Sequence, residues 1–420
     1  MEGRSIEERL AAAGLPPLPR TAWAEIDLDA LTGNLAVIRR LAGGGTPVRP
    51  VVKGNAYGHG AIEVARALER AGADGFCVAT VDEALALRAA GVAAPLLVLF
   101  PIPPALAGVA ARAGIAVTAS DPVLLVGLLA ALTADPPEPP LDVQVEVETG
   151  LGRGGFGPDA VLAAAREIAA TPGVRLAGAW THFQAPVDVA RTAAQVARFD
   201  QAADALVAGG IRPPRHAAAS GGLVLDGVIS LDGVRPGLIM YGLIPDDLGQ
   251  VGAPAIVPDA AQLRAALSLH ARPVRVADVP AGWGISYGPT FVTSRPSRIA
   301  TLPLGYGDGW SRALSNRAQA LVRGGRVPLV GNVAMDAVMA DVTDVPGGPV
   351  GPADEFVLIG AQGDERITAA DVAAARGTNS WEVVTNLSAR LPRVYHAASV
   401  PRETRTLVSD EDEAWRSKRP

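Results

Sequence analysis

One pattern constrains the fold of this chain more than any other: short apolar runs alternate with amphipathic stretches eight times between residues 48 and 241. Short apolar runs are typical of buried strands, and apolar residues three or four apart are typical of a helix face. The predicted strands are 48–52, 75–81, 95–100, 115–119, 141–148, 175–182, 215–219 and 233–241. Eight repeats predict a (β/α)8 barrel, and an open doubly wound sheet is the alternative.

A different pattern begins at about residue 258, where long helical stretches give way to short β segments separated by Gly and Pro. The predicted strands there are 271–276, 298–303, 319–322, 326–330, 337–341 and 354–359, with helices at 366–376 and 380–387. The predicted domains are an N-terminal extension (1–20), the barrel (21–257), a mostly β domain (258–403) and a charged tail (404–420), with a proline-bearing linker at 246–262.

Charge and cysteine content exclude several classes of protein. The net charge is −6 and no run of Lys and Arg forms a basic face, so we expect no nucleic-acid partner. The single Cys77 excludes a disulfide framework and a multi-cysteine metal site. The longest uncharged stretch, 89–111, contains four prolines, and residues 1–20 have no apolar signal core. We therefore expect a cytoplasmic protein with no metal and no membrane partner.

Polar residues follow the ends of several predicted barrel strands, where the active sites of such barrels lie. They are Lys53, Arg153, His182 and Ser220, and Arg235 lies with Gly237 on the eighth predicted strand. Lys53 is the most informative, because a lysine at the inner end of a buried strand must be paired, neutralised or used covalently. Taken alone, it is either a lysine whose amine reaches solvent or a Schiff-base lysine made nucleophilic by desolvation.

Seven motifs occur in order along the chain. They are Val-Val-Lys-Gly-Asn-Ala-Tyr-Gly-His-Gly (51–60), Glu-Thr-Gly-Leu-Gly-Arg-Gly-Gly (148–155), Thr-His-Phe (181–183), Val-Arg-Pro-Gly (234–237), Ser-Tyr-Gly (286–288), Leu-Pro-Leu-Gly-Tyr-Gly-Asp-Gly (302–309) and Asn-Val-Ala-Met-Asp (332–336). In content and spacing this set resembles the alanine racemase family. The resemblance covers residues of about 21 to 400.

The resemblance implies a pyridoxal-phosphate-dependent racemase that interconverts L- and D-alanine. Lys53 and Tyr287 are then the two bases, on opposite faces of the substrate. A phenol is a weak base at neutral pH, so Tyr287 needs a cationic or hydrogen-bonding neighbour. The resemblance offers His182 for this, held in turn by Arg235.

The resemblance also implies the binding residues and a homodimer with shared active sites. The cofactor-binding residues are Lys53, Tyr57, Arg153, His182, Ser220, Arg235, Gly237, Leu238 and Trp381. The substrate-binding residues are Arg153, Tyr306, Met335 and Asp336, the last three reaching the partner subunit's site. The resemblance also implies that the guanidinium of Arg235 faces the pyridine nitrogen of the cofactor. Because arginine does not release its proton, it does not protonate that nitrogen, which favours racemisation over transamination.

Four positions depart from the usual family pattern. Glu146 stands where many members have a carbamylated lysine, and it supplies an anion that can orient Arg153 without modification. Ala219 replaces an asparagine, Trp381 a phosphate-binding tyrosine, and Ala334 a residue that is often cysteine. These departures leave serine or a larger amino acid open as the substrate.

Three other functions remain as alternatives. A decarboxylase of the same architecture would place an acidic residue, rather than Arg235, at the pyridine nitrogen. A non-catalytic carrier of pyridoxal phosphate would lack the second domain with Tyr287. A catalytically silent homologue would not need Lys53, Tyr287 and Arg235 together.

Overall fold

The computed structural model describes residues 4–225, 229–248 and 255–407. The chain divides into two compact units. The barrel unit comprises residues 31–57 and 61–264, and the β unit comprises 1–30, 58–60 and 265–420, each as far as it is described. Among the described helices, none is long and apolar enough to cross a membrane.

The elements fall into strands, α-helices and short 3-10 helices. The strands are β1 (Ala22–Asp27), β2 (Phe76–Val78), β3 (Leu96–Val98), β4 (Ile115–Ala119), β5 (Leu141–Glu146), β6 (Val174–Trp180), β7 (Arg215–His216), β8 (Leu267–Ala271), β9 (Arg275–Val279), β10 (Gly284–Ile285), β11 (Phe291–Val292), β12 (Ser297–Leu302), β13 (Gln319–Val322), β14 (Gly325–Val330), β15 (Val338–Asp341), β16 (Phe356–Gln362), β17 (Glu365–Ile367), β18 (Arg393–Ala397) and β19 (Val400–Arg405). The helices are α1 (Ile6–Ala12), α2 (Leu28–Ala42), α3 (Lys53–Tyr57), α4 (Ala61–Arg70), α5 (Val81–Ala89), α6 (Ala107–Arg112), α7 (Pro122–Ala134), α8 (Val161–Ala170), α9 (Val189–Ala208), α10 (Ser220–Val224), α11 (Ala369–Arg376) and α12 (Ser380–Thr385). The 3-10 helices are Pro104–Leu106, Leu238–Tyr241, Pro258–Gln262, Tyr306–Asp308 and Arg312–Leu314.

The barrel unit is built on a parallel sheet in which β2 to β7 lie in sequence order. Backbone hydrogen bonds extend this sheet into a ring. The N–H of Val52 donates to Cys77 O at 2.8 Å, and the N–H of Val51 donates to Pro236 O at 2.8 Å. The N–H of Arg235 donates to Ala218 O at 2.9 Å. Residues 48–52 and 234–236 therefore occupy the first and eighth strand positions of the barrel, and we call them the first and eighth staves. The closed ring confirms the predicted (β/α)8 barrel rather than the alternative of an open doubly wound sheet.

Local sequence explains why the barrel elements begin where they do. The residues of β2 and β3 are all buried, as expected of parallel strands covered on both faces. The carboxylate of Asp121 accepts hydrogen bonds from the N–H groups of Val123 and Leu124, and Pro122 occupies the first turn of α7. This is the predicted helix start, with a polar cap followed by proline.

The β unit contains an eleven-stranded sheet with the order β19-β18-β1-β8-β16-β13-β14-β15-β12-β9, and β17 pairs with β16. β1 lies between β18, to which it is parallel, and β8, to which it is antiparallel. The predicted barrel domain of 21–257 was therefore wrong at its start. Residues 22–27 belong to the β unit because their backbone groups pair with strands from the second half of the chain.

The N-terminal extension is a helix packed on this sheet. α1 begins with a capping box in which Ser5 and Glu8 each bond the other's backbone N–H. Ile6 and Leu10 are buried in a cluster with Trp23 and Val394. This apolar contact holds α1 on the β unit. At the other end of the chain, β19 runs into the predicted tail as far as Arg405, and residues 408–420 lie outside the described part.

Two other predictions failed locally. The predicted strand 271–276 spans the turn between β8 and β9, because apolar residues continue through that turn. The predicted eighth strand 233–241 is extended only at its start, and Leu238–Tyr241 is a 3-10 helix. Part of the predicted linker, 249–254, lies outside the described residues.

Candidate active site

The carboxyl ends of the barrel strands carry the polar side chains that the sequence singled out. Lys53 follows the first stave directly, Glu146 ends β5, and His182 comes two residues after β6. Ser220 begins α10 after β7, and Arg235 lies on the eighth stave. One end of the barrel unit therefore gathers most of the predicted cofactor-binding residues.

An unusual backbone turn follows Lys53. Gly54, Asn55, Ala56 and Tyr57 have φ values of 60°, 55°, 53° and 51°, so α3 is a turn of left-handed helix. Each non-glycine residue in this conformation costs about 1–2 kcal/mol. Such strain persists only where the surroundings hold it, and it is concentrated at functional sites.

Three hydrogen bonds hold this left-handed turn. The N–H of Gly54 donates to the carboxylate of Glu83 at 2.7 Å, and the N–H of Ala56 donates to Val52 O at 2.8 Å. The side-chain oxygen of Asn55 accepts from the N–H of Ala61 at 2.9 Å. The turn therefore fixes where the side chains of Lys53 and Tyr57 leave the backbone.

Lys53 is partly buried. Burial lowers its pKa from the ordinary value for lysine, and the positive charge of Arg153 lowers it further. A lower pKa increases the neutral fraction of the amine near neutral pH. The neutral amine is the form that can attack a carbonyl or accept a proton.

Arg235 is fully enclosed within the barrel unit. Its guanidinium donates to Nδ1 of His216 and to Thr181 O at 2.7 Å, and it lies 4.8 Å from the centre of the Trp180 ring. Burial lowers the pKa of Arg235 to about 10, which still leaves it charged at neutral pH. The side chain is thus a fixed cation.

His216 was missed by the sequence analysis, although it holds Arg235. Because arginine only donates, Nδ1 of His216 must be the acceptor, and Nε2 then donates to Gln144 Oε1 at 2.7 Å. Burial lowers the pKa of His216 well below its ordinary value, and the charges of Arg235 and Arg49 add to this shift. A neutral His216 in one tautomer therefore positions Arg235.

His182 does not have the predicted contact with Arg235, whose side-chain bonds within the described residues go to His216 and to backbone carbonyls. Burial lowers the pKa of His182 to about 3, and the positive charges of Arg235, Arg153 and Lys53 contribute. His182 is therefore neutral at physiological pH. It can form hydrogen bonds, but it cannot supply a positive charge to a phenol.

A small cradle lies where α10 faces the end of the eighth stave. Ser220 Oγ accepts from the N–H of Gly237 at 3.0 Å and from that of Ile239 at 3.4 Å. A Cβ at Gly237 would lie 2.7 Å from Tyr57 Oη, so only glycine leaves this space open. Leu238 begins a 3-10 helix, and the first N–H groups of a helix have no partner within it. Hydroxyls and backbone N–H groups around a small space suit a phosphate.

Glu146 and Arg153 form an ion pair. Arg153 Nη2 lies 3.0 Å from Glu146 Oε1, and the glutamate side chain is only 6% exposed. Burial raises the pKa of Glu146, while its hydrogen bond with Arg153 opposes the shift. The guanidinium of Arg153 also lies 5.4 Å from the centre of the Phe100 ring. Arg153 is therefore held from two sides.

The remaining predicted residues belong to the β unit. The amide of Asn332 donates to Tyr287 O and to Gly288 O, each at 2.9 Å, and the N–H of Tyr306 donates to Ala334 O at 3.0 Å. These bonds join three loops into one surface, which we call the loop surface (residues 286–288, 305–308 and 332–336).

Side chains on the loop surface differ in how they are held. Tyr287 is 77% exposed, and Tyr306 and Met335 are also exposed. Asp336 lies 2.6 Å from Arg390 Nη2 in an ion pair. Trp381 lies apart from these loops in the sequence, on α12, and is partly buried.

Comparison with known proteins identifies the family. The model of the alanine racemase N-terminal domain matches residues 26–245, and that of the C-terminal domain matches residues 266–395. The chain belongs to the alanine racemase family. It is an isomerase of the alanine racemase type, and the family depends on pyridoxal phosphate.

The similarity to individual members of the family extends over nearly the whole length of each relative. The alanine racemase of Symbiobacterium thermophilum is 40% identical over 379 residues, which are 90% of this chain and 97% of that protein. The structure of Bacillus anthracis alanine racemase with bound L-Ala-P has a TM-score of 0.85 at 34% identity, covering 93% of this chain and 98% of that one. The enzyme from D-cycloserine-producing Streptomyces lavendulae has a TM-score of 0.81 at 34% identity, covering 91% of this chain and 98% of that one.

Proposed function

We propose that this protein interconverts L- and D-alanine with pyridoxal phosphate bound at the carboxyl ends of the barrel strands. The observation that carries the proposal is the arrangement of Lys53, the Gly237 cradle and the buried Arg235 at one end of the same barrel. Formation of D-alanine from L-alanine by the purified protein, dependent on pyridoxal phosphate, tests it.

The residues present fit this cofactor. The space left by Gly237 between Tyr57 Oη and Ser220 Oγ suits the phosphate, and Lys53 supplies an amine for the aldehyde. Arg235 is the cation that would face the pyridine nitrogen. When bound, pyridoxal phosphate acidifies the α-hydrogen of an attached amino acid by drawing electron density into its ring.

The chain's own groups then move the proton. Lys53 Nζ, with its lowered pKa, exchanges a proton with the α-carbon on one face, and Tyr287 Oη does so on the other. Arg235 stays protonated, held by neutral His216, and so gives no proton to the ring nitrogen. This charge pattern favours return of the proton to the α-carbon. It also argues against a decarboxylase, for which we expect an acidic residue at this position.

In this proposal, Arg153 binds the carboxylate of the substrate, and Glu146 orients Arg153. Glu146→Gln keeps the shape of the side chain and removes its charge, so Arg153 loses a charge-assisted partner worth about 1.5–3 kcal/mol. Because solvent reaches Arg153, we expect the lower end of this range. KM for alanine should rise about tenfold with a smaller fall in kcat, because Arg153 binds carboxylate in the ground and transition states alike.

Steady-state kinetics with and without bicarbonate test this role. A carboxylate does not depend on dissolved carbon dioxide, so wild-type activity should be the same in both buffers. Wild-type activity that depends on bicarbonate would contradict the account of residue 146. Unchanged kinetics in Glu146→Gln would show that this carboxylate does not act through Arg153.

We further propose a homodimer in which the loop surface of one subunit completes the barrel site of the other. The exposure of Tyr287, Tyr306 and Met335 supports this, since large side chains left exposed often mark an interface. If sites are shared, two inactive variants that lack different bases can complement each other, because each subunit supplies the base that the other lacks. Mixing Lys53→Ala with Tyr287→Phe and allowing the subunits to exchange should then restore about a quarter of wild-type activity.

The expected recovery of a quarter of the activity follows from the statistics of subunit exchange. Random exchange makes half of the dimers mixed, and in each of them one site has both bases. Each variant exchanged with itself is the control and should stay inactive. Absence of recovery, when exchange has been verified by mass, would contradict shared sites.

A further inference from the structure

A second cavity opens at the opposite end of the barrel from Lys53, where the strands begin. Its volume is about 660 Å³, and its lining includes Pro47, Arg49, Leu206, Arg212, Arg215 and Asp232. Arg49 is the second residue of the first stave, and Arg215 is the first residue of β7. The cavity is therefore separate from the Gly237 cradle and has its own charged groups.

Arg49 is the cationic residue of the first stave that lines this cavity. Its side chain is partly buried, and within the described residues its guanidinium makes no hydrogen bond and no ion pair. A Cβ at Gly233 would lie 2.7 Å from Arg49 Nη1, so the guanidinium lies against that backbone. Arginine does not deprotonate in proteins. The charge of Arg49 is therefore permanent, and within residues 4–225, 229–248 and 255–407 no group pairs with its guanidinium.

In the described part of the chain, no carboxylate forms an ion pair with Arg49. Arg215 lies 3.6 Å from Asp200, and Asp232 accepts from the backbone N–H of Arg215 at 2.8 Å. A second cation in the barrel, Arg235, is buried. Burial lowers its pKa, and Arg49 is one of the charges that lower it further. A partly buried charge without a partner is unfavourable, and an anion in the cavity would offset that cost.

We propose that this cavity binds a small dianion, a phosphate or a dicarboxylate, with Arg49 as its inner contact and Arg212 at its mouth. The guanidinium of Arg212 is exposed and, in the described part of the chain, has no hydrogen-bonding partner either. Asp204 and Asp232 also line the cavity, but three arginines outnumber them, so the lining keeps a net positive charge. Two arginines that can each bind a carboxylate or phosphate through two N–H groups fit a ligand with two negative charges.

Calorimetric titration of the borohydride-reduced holoenzyme tests the proposal, because reduction keeps the cofactor phosphate in its own site. The probes are inorganic phosphate and succinate, with chloride at equal ionic strength as the control. We expect at least one dianion to bind the wild type and to raise its Tm, and Arg49→Met to weaken that binding about ten- to hundredfold. Arg49→Lys keeps the charge and should retain part of the affinity.

Two further measurements keep the result interpretable. Arg112→Met removes an exposed arginine of α6, outside the cavity, and should bind the dianion like the wild type. Without ligand, Arg49→Met should have a higher Tm than the wild type, because an apolar side chain of similar size replaces a partly buried charge that has no partner among the described residues.

Binding of phosphate alone would indicate that the ligand is a phosphate ester. Binding of succinate alone would indicate that the ligand is a dicarboxylate. Either result supports the site. No binding of either dianion to the wild type would overturn the proposal. So would equal affinity in Arg49→Met, or a lower Tm of that variant without ligand.

Discussion

Lys53→Ala should abolish racemase activity, with a loss of at least about a thousandfold, and should abolish covalent attachment of pyridoxal phosphate. The reason is that Lys53 is the amine at the cofactor end of the barrel, with a pKa lowered by burial and by Arg153. The chain has only one other lysine, Lys418. Borohydride reduction followed by peptide mass mapping therefore assigns the attachment site without ambiguity.

Lys418→Ala is the matched control for this variant. It removes the other side-chain amine and should leave both the cofactor's visible absorbance and the activity at the wild-type level. A borohydride-stable adduct that remains in Lys53→Ala, together with racemase activity, would refute the assignment of Lys53.

Tyr287→Phe should lower racemisation about 10²- to 10⁴-fold while the protein still binds cofactor. The phenol belongs to the exposed loop surface and not to the cradle around Gly237. Because the two bases act on opposite faces, the variant should still exchange the α-hydrogen of one enantiomer with solvent, through Lys53, without inverting it. Exchange from the other enantiomer should fall as far as racemisation does.

Tyr57→Phe is the matched control for this test, since it removes a phenol from the cradle side. This variant should bind the cofactor more weakly. At saturating cofactor it should still exchange the α-hydrogen of both enantiomers at similar rates. If Tyr287→Phe exchanges both enantiomers at the wild-type rate, Tyr287 is not a base.

The barrel was predictable because its strands are buried on both faces and therefore appear as apolar runs in the sequence. The strand β1 was not predicted, although four of its six residues are buried. Ala24 pairs with Arg393 on one side and with Leu269 on the other, so its partners lie hundreds of residues away. Periodicity indicates that a segment is a strand, but it does not indicate which sheet the strand joins.

The candidate site shows a similar limit. Lys53 and Arg235 were recognisable because charged residues stand out at the ends of apolar runs. His216 was not, since it is the last residue of the short strand β7 and acts by accepting a hydrogen bond from Arg235. Its signal in the sequence was a polar residue in a buried strand, which needs a partner. The left-handed turn after Lys53 also had only a weak signal, because Ala56 and Tyr57 seldom adopt positive φ.

The most direct test of the whole account is the fate of the α-hydrogen of alanine. L-alanine deuterated at the α-carbon is incubated with the holoenzyme in water, and NMR and chiral chromatography follow the deuterium and the two enantiomers. The account predicts that deuterium is lost as D-alanine appears, until the enantiomers are equal, with serine and larger amino acids reacting more slowly. Release of carbon dioxide, retention of deuterium in unchanged L-alanine despite bound cofactor, or faster reaction of serine would contradict it.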